Sequence, residues 1–455
     1  MARPNIVFYF SDQQRWDTLG CYGQKLPVTP NLDALAAQGV RFENTFTCQP
    51  VCGPARACLQ TGRYATQTGC FINGIAPQFG EIKTLAQYFN EAGYATAYVG
   101  KWHLATDRPK GLNYETSAIP QDRRGGYKDY WMAADVLEFT SHGYNGYVYN
   151  GDNERVPFTG YRADCINDFA IDFLHKRKDN PEPFFLFISQ IEPHHQNDHR
   201  RYEGPDGSKM RFSDFEVPGD LKAYSDSHSD GTDVSNWKQN YPDYLGCCHS
   251  LDYNVGRLVD TLKEQGLWEN TILIYTADHG SHFITRGVEA EYKRTCHDAS
   301  IRIPLIITGP GFEGGKVIDH VVSLLDLPTT LLDCAGISKP ENFQGRSLRK
   351  LVQNPNMEWD EVAFLQISES RVGRAIRTPD YTYSVRAQGD GYEVSGSDVY
   401  YEEFFYVLKD DPYQQNNLVT DPAWAQVRAQ LAEVLKQKMV QAGEAVPEIR
   451  PWKQW

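Results

Sequence analysis

Long apolar runs are missing from this sequence. No stretch approaches the about 20 consecutive apolar residues that cross a bilayer as a helix, so no membrane span is expected. Basic charge is also scarce. Against 59 Asp and Glu stand 45 Lys and Arg, a formal net charge of −14, which argues against broad binding to nucleic acid or to an anionic membrane. An anionic substrate is still allowed, because a few local cations outweigh the mean field inside a cleft. The ten cysteines, with Cys247 and Cys248 adjacent, lack both a disulfide-framework spacing and a Cys-x-x-Cys pair. They read as mostly reduced thiols in a reducing compartment. Met1-Ala2-Arg3-Pro4 leads straight into the apolar Asn5–Phe10, which is too short for a secretory signal core and is followed by no small-x-small site. The expected location is therefore cytoplasmic. Internal repeats and low-complexity segments are absent as well.

What remains is an ordinary globular composition, 41% hydrophobic and 23% charged, in a chain of 455 residues that can bury a large core. Asn5–Phe10, Tyr94–Val99, Pro183–Ile191, Thr271–Thr276 and Ile301–Thr308 are apolar runs of the kind covered on both faces of a sheet. Helical patterns alternate with them. One starts at Pro30 and stops at Gly39, and others cover Thr84–Gly93, residues 163–178 and Tyr244–Gly266. Residues 105–160 and 196–236 read as long irregular or polar loops. From about residue 347 the texture changes. Arg374–Val385 and Val399–Leu408 alternate like antiparallel strands, and Ala425–Met439 forms a closing helix. The expected fold class is α/β, a large mostly parallel sheet sandwiched by helices in residues 1–346. A smaller α+β subdomain with an antiparallel sheet follows in residues 347–455.

Polar clusters follow the strands, where open α/β sheets carry their functional groups. Asp12 follows the first run and Asp278 the run ending at Thr276. With Gln13 and His279 they make an oxygen-rich set suited to a divalent cation; a single Asp in such a position more often caps the next helix. Cys52 stands near the start of a helix, where an anion is favoured. Taken alone it is a buried thiol like most cysteines.

The segment Cys52-Gly53-Pro54-Ala55-Arg56, with Thr61-Gly62-Arg63-Tyr64 at fixed distance, resembles the signature of the type I sulfatases of the alkaline phosphatase superfamily. Further blocks in the same order extend the resemblance over nearly the whole chain: Arg3–Val7 with Asp12, Gly100-Lys101-Trp102-His103, Pro193-His194, Ala277-Asp278-His279-Gly280, Lys293 through Arg302-Ile303-Pro304, and Leu408–Tyr413. The resemblance implies that Cys52 is oxidised by a formylglycine-generating maturase to an aldehyde whose hydrate is the nucleophile. It implies one divalent cation on Asp12, Gln13, Cys52, Asp278 and His279, most often calcium, with manganese or magnesium as alternatives. Arg56, Lys101 and Lys293 would neutralise charge, His194 or Lys293 would protonate the leaving oxygen, and His103 would act as the base that releases sulfate.

Gln13 and His279 depart from the common Asp and Asn of the family and also occur in related phosphonate monoester and phosphodiester hydrolases. The leading expectation is hydrolysis of a sulfate ester, of a sulfated carbohydrate first and of an aryl, steroid or choline ester second. A phosphoryl hydrolase and a non-catalytic binder of sulfated ligands are the alternatives, and a homo-oligomer is open. Of the adjacent His194 and His195, whose side chains are expected to diverge, His194 is preferred. His297 and Asn73 are additional candidates. His199, Arg200, Arg201 and Lys209 read as solvated loop charges.

Overall fold

A computed structural model describes residues 3–178, 180–222 and 236–455. Most of the chain is built on an eleven-stranded sheet. Its strands are β1 (Asn5–Ser11), β2 (Val40–Phe46), β3 (Ala95–Lys101), β4 (Tyr130–Ala134), β5 (Ser141–His142), β6 (Asn145–Asn150), β7 (Arg155–Thr159), β8 (Phe184–Ser189), β9 (Thr271–Ala277), β10 (Leu305–Thr308) and β11 (Lys316–Ser323). The order is β11-β2-β10-β9-β1-β8-β3-β4-β6-β5, with β7 on β6. The central block β9-β1-β8-β3-β4 is parallel, whereas β10 runs antiparallel to β9 and β2.

Side chains of β1 alternate between two cores. Ile6, Phe8 and Phe10 face one, and Val7 and Tyr9 face the other. That is why the run is apolar throughout instead of alternating. The first core is closed by α2 (Cys52–Thr61) and the helices Leu85–Glu91 and Asp326–Cys334. The second is closed by α1 (Pro30–Gln38) and the helices Arg162–Lys176 and Trp237–Glu264. A separate five-stranded sheet follows: β12 (Ala363–Ile367), β13 (Val372–Arg377), β14 (Tyr381–Ala387), β15 (Val399–Val407) and β16 (Glu448–Arg450). The helix Ala425–Gln441 lays Leu431, Leu435 and Met439 on it. The α/β class is as expected, and so is the antiparallel pairing of β12 to β15, to which β16 adds a short parallel edge strand. Among the described residues no helix is long and apolar enough to cross a membrane, and all ten cysteines are free thiols.

Four local expectations need correction. Residues 105–160 are not irregular, since they contribute β4 to β7 and widen the main sheet. The run Ile301–Thr308 is not one strand: Asp298–Ile301 is a helical turn and β10 starts only at Leu305, beyond Pro304. Arg374–Val385 is two strands joined by a turn in which the Thr378 N–H donates to Tyr381 O at 2.9 Å. The long helix begins at Trp237 instead of Tyr244, capped by the Asn236 side chain, and runs through Pro242. Of the polar stretch 196–236, residues 223–235 lie outside the described residues; the described part carries short helices at Ser208–Arg211 and Gly219–Lys222.

Candidate active site

The register of β1 and β9 builds the centre. Ser11 pairs with Ala277, so Asp12 and Asp278 leave neighbouring parallel strands side by side. The Asp278 Oδ1 accepts from the backbone N–H groups of Gln13 (3.0 Å) and His279 (2.8 Å). Two strands away β3 ends in Gly100-Lys101. Gly100 sits at φ +100°, and a Cβ there would lie 2.0 Å from Ser189 O of β8, so only glycine lets the strands approach at this point. Lys101 then reaches Asp12 Oδ2 at 2.8 Å and Glu138 Oε1 at 3.0 Å.

Cys52 is the first residue of α2, a helix buried along its whole length. The end of such a helix presents unpaired N–H groups to an anion. Around the sulfur, Lys293 Nζ lies at 2.7 Å, His279 Nε2 at 3.2 Å and Asp12 Oδ1 at 3.4 Å. Arg56, one helical turn further on, donates to Asp12 Oδ2 (2.9 Å), Asp278 Oδ2 (3.3 Å) and Ser189 Oγ (2.6 Å). His103, His194 and Lys293 line one cleft of about 610 Å³ with Cys52 at its floor. A larger cavity of about 800 Å³, beside Lys339, Arg346 and Trp359, contains none of these groups.

Electrostatics follow from burial and crowding. Burial pushes Asp12 up, but the Lys101 and Arg56 cations outweigh it and hold the carboxyl well below the usual range. For Asp278, burial and the adjacent Asp12 charge prevail over Arg56 and Lys293, and its carboxyl is raised to about 7. Burial, reinforced by Asp12, pushes the Cys52 thiol up to about 12. Burial also depresses His103, His194 and His279, leaving neutral imidazoles.

The donor set fits a cation. Asp12, Cys52, Asp278 and His279 each offer one ligand atom, all within 4.8 Å of one another. Gln13 donates through Nε2 to Tyr202 Oη (2.9 Å) and Ser281 Oγ (3.1 Å), which leaves its Oε1 buried without a partner. Two crowded carboxylates and an orphaned amide oxygen are what a hard divalent ion satisfies.

All ten residues singled out for the site therefore gather at one end of the central strands. The two adjacent histidines behave otherwise than expected. The rings of His194 and His195 do not diverge but stack at 4.6 Å and 15°, and both line the cleft. The tight turn in which the His194 N–H donates to Ile191 O keeps them together. Arg200 also lines the cleft, as does Asn73, whose Oδ1 accepts from the Gly53 N–H at 2.9 Å. His199 and Arg201 pair with Glu203, and Lys209 with Asp243. His297 bonds Tyr406 at 3.0 Å and packs on Phe404. Glu138 and Ser189 escaped sequence reasoning. Glu138 stands in no motif, and only the fold of residues 130–140 brings it to Lys101.

A cysteine at a buried helix start, faced by a lysine, two aspartates and neutral histidines, defines a hydrolase centre for an anionic ester. Residues 4–337 match the Sulfatase family, and residues 291–441 match N-sulphoglucosamine sulphohydrolase, C-terminal. The chain belongs to the sulfatase family, and with it to the sulfuric ester hydrolases. An ulvan-active sulfatase of Formosa agariphila is 31% identical over 97% of this chain and 82% of its own length. An N-acetylglucosamine-6-O-sulfatase of Bacteroides thetaiotaomicron is 27% identical over 98% and 88%. Among solved structures, yidJ of Bacteroides fragilis superposes with a TM-score of 0.80 at 26% identity, covering 98% of this chain and 97% of its own. A phosphonate monoester hydrolase of Agrobacterium radiobacter shares the fold at a TM-score of 0.73 and 22% identity, over 97% and 96% of the chains.

Proposed function

We propose that this chain hydrolyses the sulfate ester of a saccharide, with Cys52 converted by a maturase to formylglycine. The observation that carries the reading is the convergence on Cys52 Sγ of Lys293 at 2.7 Å, His279 at 3.2 Å and Asp12 at 3.4 Å. The hydrated aldehyde supplies one hydroxyl to displace the alcohol from sulfur and a second whose deprotonation releases sulfate. Asp12, Gln13, Asp278 and His279 would hold one divalent cation, calcium by the oxygen-rich donors, which supplies Lewis-acid polarisation of a sulfate oxygen. Arg56, Lys101 and Lys293 bring positive charge to the nucleophile and the sulfate oxygens, in a site where buried charges act strongly. His103, a neutral imidazole at the cleft wall, is suited to take the proton of the second hydroxyl. Lys293, or His194 once it has taken up a proton, gives a proton to the leaving oxygen, which a sugar alkoxide requires.

Two relatives named for ulvan and for N-acetylglucosamine-6-sulfate match this chain nearly end to end, which supports a saccharide substrate. So does the cleft rim, where the exposed Phe139 and Val288 accompany Arg108 and Glu115. An apolar surface beside charged groups suits the two faces of a sugar ring. Turnover of a panel of sulfated mono- and oligosaccharides, with a phosphodiester and a phosphonate monoester as controls, tests the reading. Sulfate release that disappears in Cys52→Ala is the expected result. Preference for the phosphorus esters would move the assignment to the phosphoryl hydrolases that share this fold.

A further inference from the structure

Outside the catalytic cleft, two histidines and a carboxylate meet at the surface. His142, on the short strand β5, directs Nε2 to Asp198 Oδ2 at 2.8 Å. The ring of His199 stacks on that of His142 at 4.6 Å and 13°, and its Nε2 lies 3.9 Å from the same Asp198 oxygen. One ligand atom from each of the three residues lies within 4.8 Å of the others. The side chains are 43%, 58% and 39% exposed for His142, Asp198 and His199, so an ion reaches them from solvent.

The groups behind these three are ordered as metal sites require. The Nδ1 of His199 bonds Glu203 Oε1 at 2.5 Å. A carboxylate on Nδ1 fixes the proton there and leaves the Nε2 lone pair for a ligand, the carboxylate–histidine–metal arrangement. Glu203 is itself held, accepting from the Gly143 N–H at 2.9 Å and pairing with Arg201 at 3.2 Å. Asp198 is held through its other oxygen, Oδ1, by Gln196 Nε2 (2.9 Å) and the His199 N–H (3.1 Å), which leaves Oδ2 facing both imidazoles. A plain surface ion pair needs neither the second histidine nor the backing carboxylate.

We propose that His142, Asp198 and His199 form a second metal site, for a borderline ion of the zinc class. Two imidazoles and one carboxylate, with the fourth position open to water, match the ligand preference of zinc and differ from the buried oxygen-rich cluster around Asp12. A tetrahedral site with Zn–N near 2.0–2.1 Å places its nitrogens about 3.3 Å apart, inside the 4.8 Å that spans the three ligand atoms here. The site joins β5 to the loop that carries His194, His195 and Asn197 into the cleft. An ion bound there cross-links the insertion to the catalytic loop.

The test is a calorimetric titration of the full-length protein with Zn²⁺ in excess Ca²⁺, alongside His142→Ala, His199→Ala and Glu203→Gln, with a zinc-edge diffraction map of a soaked crystal. All three positions lie away from the catalytic groups. The expected result is one zinc-binding event with anomalous density between His142 and His199, weakened at least about tenfold in each histidine variant and about 10- to 100-fold in Glu203→Gln. No binding event in the wild type overturns the proposal. So does an event that keeps its affinity in the His142→Ala/His199→Ala double variant, which would assign the zinc to another cluster.

Discussion

Lys293 holds its Nζ 2.7 Å from Cys52 Sγ, across 241 positions of sequence, and 3.3 Å from His279 Nε2. A buried ammonium touching Cys52, the proposed nucleophile position, and a candidate metal ligand besides, is placed to face charge that develops during attack. Lys293→Ala is expected to lower kcat by roughly 10²- to 10³-fold, as for loss of one preorganised donor at a developing anion. Steady-state kinetics on protein whose Cys52 conversion has been measured separates this from a failure of maturation.

His194 and Lys293 both line the cleft with Cys52, and leaving-group dependence tells them apart. If His194 is the acid, His194→Ala loses about 10²- to 10⁴-fold on a sugar sulfate but much less on an aryl sulfate, whose phenolate leaves without a proton. An equal loss on both substrates would assign the proton to Lys293. Comparing kcat/KM for the two ester types decides it.

Asp12 and Asp278 are fully buried and share Arg56. Without a cation their mutual repulsion is offset by Arg56, Lys101 and Lys293 and by the Gln13 and His279 N–H groups on Asp278. Chelation is expected to lower the melting temperature by several degrees and Ca²⁺ to restore it, because a ligand that binds only the folded state stabilises it by mass action. Asp278→Asn removes one repelling charge and one ligand, so its melting temperature should be nearly indifferent to chelator. Scanning fluorimetry with and without chelator reads both.

Asp252 in the helix Trp237–Glu264 caps α1, accepting from the N–H groups of Leu32 (2.7 Å) and Asn31 (3.2 Å) and from Asn31 Nδ2 (2.9 Å). Burial outweighs these bonds and raises its carboxyl from 3.8 to about 6. The folded state thus keeps this proton to higher pH than the unfolded chain does. The contribution to stability is complete below the unfolded value and is lost as pH rises to about 6. Relative to wild type, Asp252→Asn should therefore gain stability between about pH 4 and about pH 7, by up to about 3 kcal/mol at 1.36 kcal/mol per unit. Urea unfolding at the two pH values measures it, and a difference that does not change with pH would contradict the assignment.

The central strands were legible because burial on both faces leaves an uninterrupted apolar run, as in Asn5–Phe10 and Thr271–Thr276. The site was legible because its groups stand at the ends of those runs and inside a long motif. Strands β4 to β7 were not legible. They are short, β6 is rich in Tyr and Asn, and β6 and β7 are half-exposed, so neither periodicity nor hydrophobicity marks them. With β4 unread, Glu138 had no visible route to Lys101. The stretch Ile301–Thr308 misled for the opposite reason. Its apolar residues are all buried, but Ile301 belongs to a helical turn, and Pro304 offers no N–H to a ladder. The stacking of His194 on His195 depends on a turn at Ile191 that spacing alone does not reveal.

The most direct measurement is the mass of the peptide containing Cys52, taken from protein that releases sulfate from a saccharide ester. The account predicts a loss of about 18 Da at Cys52, the replacement of the thiol carbon by an aldehyde that makes the covalent nucleophile. Full activity with an unmodified Cys52 thiol would contradict it.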